Sequence, residues 1–276
     1  MSDVEQRLAI IGCGTMGEAI LGGLLRARRI QASEVTVTAR RPEDAQRLQR
    51  THGVTALTDN LAACGQASTV LVALKPQRMG QVLDDDRMRR ALAGRLLISI
   101  AAGIRVRTLQ GWLPDTTIIR AMPNTPCLIG EGMTVLAPGE GVTDLQRARA
   151  REIFEAVGRC LELEDKHMDA ITSLNGSGPA FAYVMLEALA DGGVMMGLPR
   201  DVALEIAAQV LQGSARMVLG TGFHPAALKD QVTTPAGSTI AGLLIMEDGR
   251  IRSVLARTIQ EATRVASGLG APVKKD

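Results

Sequence analysis

The densest chemistry in this sequence begins at Gly12-Cys13-Gly14-Thr15-Met16-Gly17. It follows at once on the apolar run ending in Ile11. Glycines at this spacing permit a tight turn, let the backbone approach a pyrophosphate, and aim the first N–H groups of a helix at it. A strand-to-helix turn that merely needs glycine is the plain alternative. The flanks favour the nucleotide: a strand before the motif, a helical pattern to about Arg28 after it, then a second strand at Val35–Thr38. Beyond that strand an NAD-specific site wants a carboxylate for the ribose 2′-hydroxyl, and the chain reads Thr38-Ala39-Arg40-Arg41-Pro42 instead. An acid would repel a 2′-phosphate, whereas Arg40 or Arg41 can pair with one, so NADPH is expected over a weaker NADH. The competing reading is a solvated basic turn. Asn60 offers the nucleotide one more polar contact.

Three further strand ends carry unusual residues: Ala73-Leu74-Lys75-Pro76, Ser99-Ile100-Ala101-Ala102-Gly103 and Arg120-Ala121-Met122-Pro123-Asn124-Thr125-Pro126. Ligands of open α/β sheets sit beyond the carboxyl ends of strands. The small residues at Ala101, Ala102 and Gly103 leave room for a flat nicotinamide. Lys75 suits a cation on the cofactor ribose or phosphate, a proton donor, or simply a lysine before a rigid turn. In the segment His224–Glu247 a helix is expected to open after Pro235-Ala236-Gly237, with Ser238 as its N-cap. Unpaired N–H groups at such an end form an anion site suited to a carboxylate, beside the Thr239 hydroxyl. Most Ser and Thr caps are only structural. His52, His167 and His224 have no nucleophile in recognisable context and no metal spacing, which fits a reaction needing no strong protein acid.

Composition removes whole classes of function. With 276 residues, 46% hydrophobic and 22% charged, and a formal net charge of +2, there is no electrostatic case for nucleic acid or a membrane surface. One Trp, one Tyr and three Phe cannot build a base-stacking platform. Cys13, Cys64, Cys127 and Cys160 are scattered and read as reduced, buried residues of a cytoplasmic protein. No signal peptide or membrane-length apolar run is seen.

The elements that must position these residues alternate strand and helix in the first part of the chain. Strands are expected at 7–12, 35–38, 54–56, 69–73, 96–100, 118–122, 133–136 and 160–164, with helices at 77–92 and 144–157. Apolar runs such as Thr69–Ala73 suit strands covered on both faces. The fold class expected is α/β: a doubly wound Rossmann domain over 1–165, then an all-helical dimerisation and substrate-binding domain over 166–276. Within the second, helices are expected at Pro199–Leu219 and along Ile251–Ala266, before a polar tail at Val273–Asp276. A Gly176-Ser177-Gly178 turn with Pro179 as first helical residue opens a helix whose only charges are Glu187 and Asp191. Such a helix must be buried on nearly all sides, which implies a second copy of the chain as its missing wall.

These segments together resemble the pyrroline-5-carboxylate reductase family, most specifically in Leu228-Lys-Asp-Gln-Val-Thr-Thr-Pro-Ala-Gly-Ser-Thr239. The resemblance implies hydride transfer from nicotinamide C4 to the cyclic imine 1-pyrroline-5-carboxylate, the last step of proline biosynthesis. It implies a cofactor site along Ile11–Gly17, Arg40, Arg41, Asn60, Ala73–Pro76, Ile100–Ala102 and Gln231. It places the substrate carboxylate on Thr234, Gly237, Ser238 and Thr239, with Thr239 also near the ring nitrogen, and it suggests homodimers assembled as a homodecamer, a pentamer of dimers. Family members often carry two glycines where Ala236-Gly237 stands, Asn for Gln231, and an acid for Gly222. The related β-hydroxyacid dehydrogenases need a lysine where Ala182 and Tyr183 stand. A nucleotide-sensing scaffold of the same fold would need no intact Thr234–Thr239 segment.

Overall fold

The computed structural model describes Arg7 to Leu269, so the polar tail at Val273–Asp276 lies outside the described residues. The strands are β1 Leu8–Ile11, β2 Val35–Thr38, β3 Thr55–Leu57, β4 Thr69–Val72, β5 Leu96–Ser99, β6 Thr117–Met122, β7 Gly132–Pro138 and β8 Gly158–Glu162. They form one eight-stranded sheet in the order β3-β2-β1-β4-β5-β6-β7-β8. The β6–β7 pair is antiparallel and the other neighbours are parallel. A parallel return needs a crossover of about a dozen residues or more. The short link from Met122 to Gly132 leaves no room for one, so the chain doubles back there.

Helices cover both faces: α1 Thr15–Arg26, α2 Pro42–His52, α3 Asn60–Cys64, α4 Pro76–Leu83, α5 Asp86–Leu92, α6 Val106–Trp112 and α7 Asp144–Glu155. Alternate residues of one strand serve opposite cores. Ile10 joins Leu24, Leu48 and Phe154 on one side, while Ile11 joins Met79, Leu92 and Leu109 on the other. Burying each such side chain stabilises the fold by about 1.5–3 kcal/mol. The single helix expected over 77–92 is two. Asp85 Oδ1 accepts the N–H groups of Arg87 at 2.9 Å and Met88 at 3.2 Å, starting a new helix one residue after Asp84 leaves helical geometry.

The later helices are α8 Met168–Ile171, α9 Gly178–Met195, α10 Arg200–Thr221, α11 Pro225–Gln231, α12 Ser238–Asp248 and α13 Ile251–Ala266. Between α8 and α9 the residues Thr172–Ser177 form a π-helix, so Gly176-Ser177-Gly178 is no turn and Pro179 opens no helix. The run is helical from Met168 onward, and proline, lacking an N–H, sits where wider π turns have already interrupted the α ladder. One compact unit ends at Ser177 and takes in the chain again from Ala262; the other is Gly178–Glu261. Residues 166–177 stay with the sheet because Met168 is buried against Met122 and Val135 and because Asn175 bonds the strand ends. Within the single chain α9 is not covered: Ala190 is its one buried residue, and Leu189 and Met195 are 52% and 85% exposed.

Candidate active site

The glycine loop and the loop after β4 line one cavity of about 1010 Å3. Both follow strands flanking the point where the sheet order reverses, between β1 and β4. Gly12, Cys13, Gly14, Thr15 and Met16 lie on its wall, opposite Ala73, Leu74 and Lys75. Gly12 adopts φ +74°, and a Cβ on it would stand 2.4 Å from Leu74 Cδ2. No side chain fits there. Gly17 is buried, and its Cβ would press within 3.2–3.3 Å of Ile10 and Ala73, so this glycine sets how closely α1 meets the sheet. Gly14 is the N-cap of α1 without a side-chain bond, which leaves the first N–H groups of the helix without a side-chain cap. Ile11 is buried in β1, and Pro76 is the first residue of α4, behind the N-cap Lys75.

The loop is fixed by its neighbour strand. The Cys13 N–H donates to the Thr38 carbonyl at 2.7 Å, and the Gly12 N–H donates to Thr38 Oγ1 at 2.9 Å. The Thr38 hydroxyl then donates to Asn60 Oδ1 at 2.7 Å. Asn60 therefore turns its oxygen to the loop, its NH2 without a partner among the described residues, at the edge of a second, smaller cavity of about 460 Å3. Burial pushes the Cys13 thiol up to about 12, so it stays a neutral thiol beside the site.

The cavity is ringed by charge. Arg40 and Arg41 both line it, as do Arg26 and Arg78. Arg41 donates from Nε and Nη2 to the two Asp44 oxygens at 2.8 and 3.1 Å. Arg40 has no ion pair among the described residues. Sequence reasoning missed several lining residues, Glu18, Arg47 and His52 among them: Glu18 is held by Arg47 through two 2.7 Å bonds and by His52 Nε2 at 3.0 Å. Those bonds, Arg47 first, hold the Glu18 carboxyl down at about 2. Glu18 lies 29 and 34 residues from these partners, and no local pattern announces such a pairing.

Ile100, Ala101 and Ala102 stand at the end of β5 and do not line this cavity. The Ala101 N–H donates to Ser99 Oγ at 3.3 Å, and Ala102 packs against the cluster of Met122, Val135, Ala137 and Met168. That cluster is tied from the π-helix. Asn175 Nδ2 donates to the Met122 carbonyl at 2.7 Å and the Met133 carbonyl at 3.0 Å, and Asn175 Oδ1 accepts from Asn124 Nδ2 at 3.0 Å. Arg120 is fully buried, paired with Asp165 at 3.1 Å and Asp169 at 3.7 Å.

The compact unit Gly178–Glu261 holds the other predicted group. Gln231 is the exposed last residue of α11. The chain then turns through Thr234-Pro235-Ala236 to Gly237, which, not Ser238, is the N-cap of α12 and makes no side-chain cap bond. Glycine is required there for steric reasons: a Cβ on Gly237 would stand 2.5 Å from Thr234 Oγ1 and 3.2 Å from its carbonyl. Ser238 and Thr239 thus fall in the first turn, and among the described residues the hydroxyls of Thr234, Ser238 and Thr239 hold no hydrogen bond. Ala236 is left-handed at φ +56°, a conformation glycine takes without strain. Gly222 closes α10 at φ +69°, which explains glycine at that position.

Comparison with known proteins supplies the context for these two groups. Residues 165–269 match the family described as pyrroline-5-carboxylate reductase dimerisation, and residues 7–103 one described as NADP oxidoreductase, coenzyme F420-dependent. The pyrroline-5-carboxylate reductase of Schizosaccharomyces pombe is 41% identical, over 95% of this chain and 98% of its own. That of Synechocystis is 42% identical, over 96% and 98%. Among solved structures, the Coxiella burnetii enzyme superposes with a TM-score of 0.90 at 30% identity, covering 97% of this chain and 99% of its own. The Plasmodium falciparum enzyme with NADP bound gives 0.86 at 27% identity, over 96% and 98%. By identity sustained over nearly its whole length, this chain belongs to the pyrroline-5-carboxylate reductase family.

Proposed function

We infer that this chain reduces 1-pyrroline-5-carboxylate to proline with NADPH, and NADH less well. The residues fit the cofactor: the loop backbone at Gly12 has no space for a side chain, the α1 start has no side-chain cap, and Arg40 has no ion pair among the described residues that would compete with a 2′-phosphate. Thr15 and Met16 would receive the pyrophosphate, Lys75 and Asn60 the sugar and base end, and Ile100–Ala102 the nicotinamide end; Gln231 is a further candidate cofactor contact. When bound, the nicotinamide supplies the hydride. The chain's own task is then to hold and align the imine. In the proposed site the first N–H groups of α12 and the hydroxyls of Thr234 and Ser238 hold the carboxylate. The Thr239 hydroxyl bonds the ring nitrogen, which turns from iminium to amine. A protonated imine is already electrophilic, so hydride addition yields the neutral amine without a proton from the protein. Alignment alone lowers such a barrier by roughly 7–11 kcal/mol. Ala182 and Tyr183 provide no lysine to carry a proton, as alcohol oxidation would require.

The observation that carries this reading is that one chain holds both a glycine-loop cavity with an unpaired Arg40 and a helix start ringed by three unengaged hydroxyls. Residues 166–276 form the proposed substrate-binding and dimerisation portion, and its apolar exposure at Val184, Leu189, Met195 and Leu244 supports self-association as a homodimer. Five such dimers would make the decamer that the family likeness suggests. Among the described residues no helix is long and apolar enough to cross a membrane. Four free, buried cysteines support a cytoplasmic location, and nothing in the charge pattern calls for a nucleic-acid partner. The deciding experiment follows NADPH oxidation with 1-pyrroline-5-carboxylate and identifies the product; no turnover with that imine overturns the assignment.

A further inference from the structure

Three arginines of the β2–α2 region line the same cavity, and two of them are already engaged. Arg47 donates to both oxygens of Glu18 at 2.7 Å each, and His52 Nε2 bonds Glu18 Oε1 at 3.0 Å. The side chains of Glu18 and His52 are only 25% and 15% exposed, against 49% for Arg47, so the acid end of this group is shielded, and the group connects α1 to α2. Arg41 is engaged differently. Its fork meets Asp44 at 2.8 and 3.1 Å with Glu43 at 3.4 Å, on a surface where Arg41 and Asp44 are 58% and 36% exposed. An exposed pair of this kind contributes little, and a phosphate offers the same guanidinium a stronger charge-assisted, bidentate partner. Arg40, between them in charge but not in contact, has no carboxylate within ion-pair distance among the described residues.

Resting on the placement of the 2′-phosphate at this turn, we propose that Asp44 is a specificity-determining residue whose carboxylate competes with the cofactor 2′-phosphate for Arg41. Arg40 meets the phosphate unopposed, while Arg41 joins it only by releasing Asp44. The two acids on α2 and α1 thus have different standing. Glu18 keeps Arg47 as part of the scaffold, and Asp44 sets how strongly the phosphorylated cofactor is preferred.

The test needs neither nicotinamide nor turnover. Binding of adenosine 2′,5′-bisphosphate and of ADP is measured by calorimetry on the intact protein, for wild type, Asp44→Asn, Arg41→Ala and the double variant. Thermal melts confirm that each is folded. Asp44→Asn is expected to tighten the 2′,5′-bisphosphate about two- to fivefold, the size of one exposed ion pair, and to leave ADP unchanged. In the Arg41→Ala background most of that gain disappears. An equal gain in both backgrounds would mean that only a nearby negative charge was removed, and no gain in either would mean that Asp44 does not compete; each overturns the proposal. Arg40→Ala separates it from the underlying assignment: if both nucleotides weaken equally, the 2′-phosphate does not lie at this turn at all.

Discussion

Thr234 and Gly237 are locked together: the Gly237 N–H donates to the Thr234 carbonyl at 3.1 Å, and a Cβ on Gly237 would stand 2.5 Å from Thr234 Oγ1. The turn before α12 therefore has one tight closure, and its N-cap is glycine for reasons of space. Gly237 itself sits at φ −79°, where any residue is comfortable, so a substitution there acts only through the clash.

Gly237→Ala is expected to push Thr234 away from the α12 start and to spoil the carboxylate subsite. KM for the imine should rise about tenfold or more, as loss of one charge-assisted bond of about 1.5–3 kcal/mol implies. NADPH affinity should hold. Steady-state kinetics with a separate cofactor titration checks it, and an unchanged KM places the carboxylate elsewhere.

Arg40→Asp removes the one unopposed guanidinium of the β2–α2 turn and puts an acid where NAD-specific sites carry one. NADPH binding should weaken about ten- to a hundredfold, while NADH binding holds or improves. Fluorescence titration with both cofactors decides; equal loss with both counts against a 2′-phosphate at this turn.

Glu18 makes folding stability depend on acid. Its carboxyl is held near 2 in the fold against an ordinary 4.5, so the stabilisation is complete above about 4.5 and drains away as the pH falls toward about 2. Glu18→Gln should therefore lose about 1 kcal/mol at neutral pH relative to wild type. The two proteins should converge in acid. Denaturant melts at pH 7, 4 and 2.5 test the sign: a gap that grows in acid contradicts it.

Leu189 tests assembly because the single chain leaves it 52% exposed. An arginine at a solvent-facing helix position changes stability by only about 0.5 kcal/mol. In a dry interface between two copies it would bury an unpaired charge at a cost of several kcal/mol. Leu189→Arg, and likewise Met185→Arg, should yield monomers in light scattering or a sharp drop in Tm. A variant with unchanged mass and melting point would show that α9 faces water.

Much of this was legible in the chain because local rules applied. The Rossmann strands announced themselves as apolar runs such as Thr69–Val72, and the Gly12–Gly17 loop stood between a strand and a helix. Three things were not legible. The break at Asp84–Asp85 depended on one side chain choosing cap over ladder, and the π turns before Pro179 depended on a helix continuing through a sequence that reads as a turn. Arg41 looked equivalent to Arg40 because adjacent arginines differ only in which neighbour each can reach, and Asp44 lies within reach of Arg41. Ser238 looked like the cap because serine so often is; the cap instead falls one residue earlier, at Gly237, where Thr234 leaves no room for a Cβ.

Thr239 offers the sharpest division between binding and chemistry. It lies in the first turn of α12, and its hydroxyl has no partner among the described residues. If the carboxylate rests mainly on backbone N–H groups, removing this side chain spares much of that binding. The hydroxyl is instead assigned to the ring nitrogen, whose charge disappears as the hydride arrives, so its loss should fall on the chemical step. One buried hydrogen bond left unmade costs about 1–3 kcal/mol. Thr239→Ala should accordingly slow hydride transfer about ten- to a hundredfold, with a smaller change in NADPH affinity. Single-turnover absorbance at saturating cofactor isolates that step from product release, and Thr239→Ser should restore most of the rate because it returns the hydroxyl without the methyl. If Thr239→Ala transfers hydride at the wild-type rate, the hydroxyl plays no part in the reaction and the first turn of α12 serves the carboxylate alone.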